Sequence, residues 1–263
     1  TGKRALMGAR GDIYTVPAEH GVIRNLTRSQ GIREIFPVWS PDKKHIAYYS
    51  DASGEYELYL KSVFADRTTQ ITRGSTGWKN PPRWSPDSRY LLYSDRTLHL
   101  KYLEVESRTE KMIDPAYGHP ITNYRWSPDS RHITYAKDAP NGNDSLYIYS
   151  LEEGKIHRVT TDEFNEHDPL FSRDGRYLFF LSQRDFNLAF SSYEFDYLYH
   201  DATAIYYLPL TRTTPSLFPD RNDLESLEKP SPKTKTAKVR LDTAGICRRI
   251  GKFPLGNGNY HSL

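Results

Sequence analysis

The sequence predicts an all-β fold: a β-propeller of four-stranded antiparallel blades, with about five blades plus part of a sixth in 263 residues. Three observations carry this expectation. The phrase WSPDSR stands at Trp84 and again, letter for letter, at Trp126, with WSPDKK at Trp39 and FSRDGR at Phe171. These copies begin 45, 42 and 45 residues apart, and short strands repeating at such a period are the mark of propeller blades. Helical periodicity is absent, while 17 prolines and 16 glycines fall at turn positions.

The elements of a unit follow in order. In S-P-D-S the proline presets φ and the Ser and Asp side chains bond locally, which is type I turn chemistry. Next comes an apolar strand, HIAYYS at 45–50, YLLYS at 90–94, HITYA at 132–136 and YLFFLS at 177–182. Aromatic and β-branched on both faces, it is expected to be buried on both. After a polar turn a second strand follows, DIYTV at 12–16, ELYLK at 57–61, TLHLK at 97–101, SLYIY at 145–149 and AIYYL at 204–208. Edge strands close the unit at IRNLT (23–27), TTQIT (68–72) and IHRVT (156–160). The strand leading into the Trp makes four. TGKRALMGA at the start aligns with DKKHIAYYS at 42–50, as a fifth copy beginning just after its own turn.

Trp39, Trp84, Trp126 and Phe171 are read as structural: a large flat ring at the same place in every unit fills the wedge between neighbouring blades. The approximate blades are 1–30, 31–73, 74–114, 115–161 and 162–213 of one domain. The repeat breaks in the fifth. About 20 residues, several times the spacing in the second unit, separate YLFFLS from AIYYL, and this stretch (183–203) is dense in aromatics. Something so apolar packs on its own blade or on another domain. Residues 214–238 read as a long disordered loop, and 239–263 as the start of a further blade. A propeller protects its sheet edges by closing, so the chain is expected to be part of a longer one.

Net charge is +3, with nine Lys and Arg against four Asp and Glu in residues 221–263 and −2 over the rest. That balance gives no reason to expect nucleic acid. No apolar run is long enough to cross a membrane and residues 1–17 show no leader; a cytoplasmic location is expected, with a periplasmic or secreted one open if a leader was removed. One cysteine, Cys247, excludes an internal disulfide and reads as a small buried hydrophobe.

At this point the ordered set of segments GDIYTVPAEHGVIRNLTRSQGIREIFPVWSPD, WSPDSR, FLSQRDFN and VRLDTAGICRRIGKFPLGNGNY resembles the second, seven-bladed propeller of tricorn-type proteases. The resemblance runs over essentially the whole chain and includes Asp242, Gly245, Ile246 and Arg249 of a D-x-x-G-I-x-x-R segment. W-S-P-D alone is shared with TolB-like and oligopeptidase propellers. The resemblance implies a non-catalytic domain of a large serine peptidase with two propellers, a PDZ module and a catalytic domain. Its channel would pass peptides, and its partners would be those peptides, the parent's other domains and a homo-oligomer formed through the parent. The family's catalytic Ser, His and Glu lie downstream, and none is carried over.

The residues themselves hold no G-x-S-x-G, phosphate loop, G-x-G-x-x-G or H-E-x-x-H, and no cofactor or metal is expected. His167–Asp168 and His200–Asp201 are strand neighbours whose side chains diverge. RGD at 10–12 is read as the start of a strand. Because the innermost strand of each blade lines the channel, counting back from each ring selects Arg33, Glu34, Lys79, Asn80, Asn123, Glu166, His167 and Asp168 as channel-lining, peptide-binding candidates. A water-filled pore without ligand is the plainer alternative. Two rival functions remain: a TolB- or WD40-like scaffold gripping a protein partner, and an axial enzyme using Glu34, Glu166 and Asp168.

Overall fold

The strands of each repeat pair antiparallel with one another, so each repeat builds its own sheet. The computed structural model describes residues 3–185, 188–193, 195–219 and 238–263, in two units, Thr1–Pro120 and Ile121–Leu263.

The first unit contains three sheets. β1 (Arg4–Ala9), β2 (Asp12–Pro17) and β3 (Arg24–Asn25) form the first; β4 (Glu34–Trp39), β5 (His45–Ser50), β6 (Glu57–Ser62) and β7 (Thr68–Gln70) the second. β8 (Arg83–Trp84), β9 (Tyr90–Ser94), β10 (His99–Glu104) and β11 (Thr109–Pro115) form the third. Strand order follows chain order in each, so every connection is a hairpin. In the second unit β12 (Tyr124–Trp126), β13 (His132–Asp138), β14 (Asp144–Ser150) and β15 (Lys155–Arg158) repeat the pattern. β16 (Glu166–Phe171) and β17 (Tyr177–Ser182) begin the next sheet, and β18 (Leu188–Ser191) and β19 (Asp196–Tyr199) form a separate two-stranded sheet. β20 (Ala204–Pro209) rejoins β17, and β21 (Gly251–Lys252) completes that sheet.

The last pairing corrects one expectation. Residues 239–263 do not open a further sheet; they supply the fourth strand of the fifth, with Tyr206 opposite Lys252 and Tyr207 opposite Gly251. Phe253 N–H continues to Ile205 O at 2.9 Å and Gly258 N–H to Thr203 O at 2.9 Å. The fifth sheet takes its edge from beyond a long connection because β20 otherwise presents an open edge there. Arg249 secures the return: its guanidinium donates to the carbonyls of Pro209 (3.0 Å), Leu210 (3.3 Å) and Asp242 (2.5 Å). Cys247, expected inside, is exposed, because Ile246 takes the inward position on the short 3-10 turn Ile246–Arg249. Of the loop expected at 214–238, residues 220–237 lie outside the described residues, as does Phe186 of the aromatic stretch.

The repeated turn is built alike four times. Ser40, Ser85, Ser127 and Ser172 each donate Oγ–H to the Asp two residues on, at 2.6–2.7 Å. The same hydroxyls accept the amides of His45, Tyr90, His132 and Tyr177 at 2.8–3.0 Å. The residue after each Asp, Lys43, Ser88, Ser130 or Gly175, sits at φ between 61° and 68°, the left-handed conformation that the Asp–Ser network holds in place.

The rings behind three of these turns pack on the preceding sheet of their own unit. Trp84 is 9% exposed and lies against Ala47, Leu58 and Leu60, its indole N–H on Val38 O at 3.3 Å. Trp39, only partly buried, packs against the buried cluster of Ile13, Ile46 and Tyr48, and Phe171 belongs to one cluster with Leu146, Ile148 and Val159. Trp126 is 9% exposed. Inner strands are buried on both faces as their composition requires: Ile46 to Ser50 and Leu91 to Ser94 are all buried.

Candidate functional site

The first strands of the second and fifth sheets read EIFPVW and EHDPLF, and they bend alike. A proline cannot donate to the ladder, so the register slips between Ile35 and Val38 and between His167 and Leu170. The residue before each proline, Phe36 (φ 54) and Asp168 (φ 51), is left-handed.

The charged residue that opens each of these strands goes inward. Glu34 and Glu166 are 6% and 0% exposed, and Lys79 of the third sheet is 4% exposed. This differs from the sequence reading, in which all eight candidates border a channel. Among the described residues, Glu34 Oε2 and Glu166 Oε2 have no hydrogen-bond partner. Burial raises the pKa of Glu34, and the carboxylates of Asp12 and Asp51 add to that, against the hydroxyls of Thr27 and Ser29. Asp12 goes the other way: Asn25 Nδ2 donates to it at 2.7 Å, and the Ser29 amide and the Thr27 and Ser29 hydroxyls add to the lowering. Two nearby acids are thereby pushed apart. The same bonds occupy the Asp of RGD.

Lys79 faces Asp95 at 3.7 Å, and Lys101 reaches the same carboxylate at 3.0 Å and Glu110 at 3.2 Å. Tyr93 donates its hydroxyl to Glu110. Burial works to raise the Asp95 pKa, but Thr97, Lys101 and Lys79 outweigh it and hold it low. Glu166 accepts from Arg184 and from Ser182 (3.2 Å), while the Arg184 guanidinium lies over the rings of Tyr206 (4.8 Å) and Phe164 (5.3 Å).

The remaining candidates keep contact with solvent. Arg33 is exposed, its amide on the Asp51 carboxylate at 2.7 Å. It lines, with Arg10, Gly11 and the buried Glu34, a cleft of about 330 Å³ in the first unit. Asn80 is half-buried and donates to Ser94 Oγ at 2.8 Å. In the second unit Asn123, His167 and Asp168 are half-buried, and Asn123 O accepts from Ala136. Each unit thus gathers part of the set at the starts of its first strands. No group of three or more His, Cys, Asp and Glu able to hold a metal occurs among the described residues.

Several residues escaped the sequence reading. Arg184 follows β17, Asp95 follows β9, and Lys101 and Glu110 lie on β10 and β11; only folding brings them to Glu166 and Lys79. Thr27, Thr72 and Thr160 do carry a signal, since each ends an edge strand; their Oγ1 atoms accept the amides of Ile13 (3.0 Å), Leu58 (2.8 Å) and Leu146 (2.9 Å).

Comparison with known proteins joins these features to a family. The family described as the tricorn protease second beta propeller domain matches residues 1–263. The chain is 24% identical to tricorn protease homolog 1 of Streptomyces coelicolor, over 100% of this chain and 26% of that protein. It is 26% identical to the tricorn protease homolog of Saccharolobus solfataricus, over 67% of this chain and 15% of that one. The chain therefore spans about a quarter or less of the length of these curated relatives. The crystal structure of the tricorn protease superposes with a TM-score of 0.82 at 14% identity, covering 99% of this chain and 25% of that chain. A putative TolB from Agrobacterium tumefaciens gives 0.54 at 16% identity, over 80% and 74%. With four-stranded antiparallel sheets in series, the fold of a β-propeller and a family match from the first residue to the last, this chain belongs to the tricorn protease second β-propeller domain family.

Proposed function

We propose that this chain is a non-catalytic propeller of a tricorn-like serine protease, acting as a channel or gate for peptides and as a docking platform for the catalytic part. The observation that carries the reading is the family match over residues 1–263 to a domain that makes up about a quarter of its longer relatives. The polar, solvent-reaching residues Arg33, Asn80, Asn123, His167 and Asp168 are the contacts offered to a passing peptide; Glu34, Lys79 and Glu166 hold the strands behind them. Partners are peptides, the parent's other domains and further copies of the parent, in the cytoplasm. No cofactor, nucleic acid or membrane enters this reading. Among the described residues no helix is long and apolar enough to cross a membrane.

The test uses the full-length protease. Asn80→Cys and Asn123→Cys, each labelled with a bulky maleimide, are expected to slow hydrolysis of a 20-residue peptide far more than of a tripeptide. Equal slowing of both, or of neither, removes the channel role. A second reading, a TolB-like scaffold gripping a protein, is favoured by the aromatic hairpin β18–β19, where Tyr193 is 92% and Phe195 81% exposed. Stable capture of a protein partner by this chain, lost in Tyr193→Ser/Phe195→Ser, would replace the first reading.

A further inference from the structure

In the Ile121–Leu263 unit a cleft of about 440 Å³ is lined by the carboxamides of Asn143, Asn165, Gln183 and Asn259, with Thr203 and Glu163. Four separate segments supply the four amides: the turn before β14, the residue before β16, the residue after β17 and the chain beyond β21. Asn165 Oδ1 accepts the Asp144 amide at 3.1 Å, and Asn143 Nδ2 donates to Asp162 O at 2.9 Å. The Thr203–Gly258 bridge fixes the backbone that carries Asn259. What remains is uncommitted: among the described residues Asn143 Oδ1, Gln183 Nε2 and the Asn259 carboxamide have no hydrogen-bond partner in the protein.

Neutral groups that both donate and accept, collected in one cleft, match the alternating N–H and C=O of an extended main chain. Charge does not select the ligand, since Glu163 is the single ionised side chain in the lining. A sugar would want an open aromatic face, and the Phe164 ring is already covered by the Arg184 guanidinium at 5.3 Å. Asn165 and Gln183 also flank the paired residues Glu166 and Ser182, so the cleft adjoins the strand start that carries His167 and Asp168.

We propose that this carboxamide cleft is a subsite that holds an extended peptide by its main chain, indifferent to its side chains. The inference rests on the peptide-conducting reading and names the groups that do the holding. Its test measures anisotropy of a fluorescein-labelled Ser/Ala decapeptide with the 263-residue chain. Alternate N-methylation of the probe, or the pair Gln183→Leu/Asn259→Leu, is expected to weaken binding about tenfold, as loss of one or two hydrogen bonds would; reordering the peptide's sequence leaves it unchanged. Both substituted residues are exposed, and an unchanged melting temperature verifies that the variant folds. Binding that survives both changes overturns the cleft and leaves the channel reading standing. Displacement of the probe by a linear oligosaccharide overturns the cleft's preference for peptide. No binding of the decapeptide at all overturns cleft and channel together.

Discussion

Asp129 shows how much one turn residue does. Its carboxylate accepts from Ser127 (2.7 Å) and the Arg131 amide (3.2 Å), and it also takes the Val239 amide (2.7 Å) as the chain returns from the long connection. Burial works to raise its pKa, but His132, Ser127 and these amides outweigh that and hold it far below the usual aspartate range. Replacing it with alanine orphans several donors at once, so Asp129→Ala is expected to cost about 1–3 kcal/mol in urea unfolding. Glu34 has the opposite sign. With a raised pKa, its contribution is full below the ordinary glutamate value of 4.5 and lost as pH rises through the higher folded value. Glu34→Gln, permanently neutral, should therefore be more stable than the parent at pH 8 and match it near pH 4, as chemical denaturation at the two pH values will tell.

At the scale of the element, rings join sheet to sheet and an arginine joins strand to sheet. Trp84 is buried against the second sheet and Trp39 only partly covered by the first. Trp84→Ala should accordingly lose about 3–5 kcal/mol and Trp39→Ala clearly less, measured side by side. Arg249 explains the D-x-x-G-I-x-x-R segment: the guanidinium reaches carbonyls at both ends of the return, and Gly245 supplies a φ of 64° ahead of the 3-10 turn. Arg249→Lys cannot span that fork. Exchange of the Phe253 amide, bonded to Ile205 O, should speed up in this variant while the amides of the central strand β17 keep their protection.

Among the described residues, carboxylates with depressed pKa outnumber those raised. Asp42, Asp95, Asp129 and Asp185 are all lowered, in each case by hydrogen bonds or cations that outweigh burial. Each contributes stability that is present above the ordinary aspartate value of 3.8 and lost as pH falls toward its lowered value. Thermal stability is therefore expected to hold from about pH 7 to 5 and to fall steeply below about pH 4. A melting temperature unchanged from pH 6 to 3 would contradict this.

The class of fold, the central strands of the sheets and the four turns were legible in the sequence; the edge strand β11 and the hairpin β18–β19 were not. Turns and two-sided apolar strands are local: S-P-D bonds its own neighbours, and a run such as YLFFL has no polar face to show. The strand starts that carry the candidates Arg33, Asn80, Asn123 and Asp168 were legible in the same way, since the ring of each unit sets the count back to them. The inward turn of Glu34, Lys79 and Glu166 was not, nor the return of Gly251–Lys252 to the fifth sheet. Their outcome depends on groups distant in sequence, Arg184 for Glu166 and β20 for β21. Local sequence determines which conformation a segment prefers, whereas the partner of a buried charge or an unpaired edge is decided when segments far apart in the chain pack together.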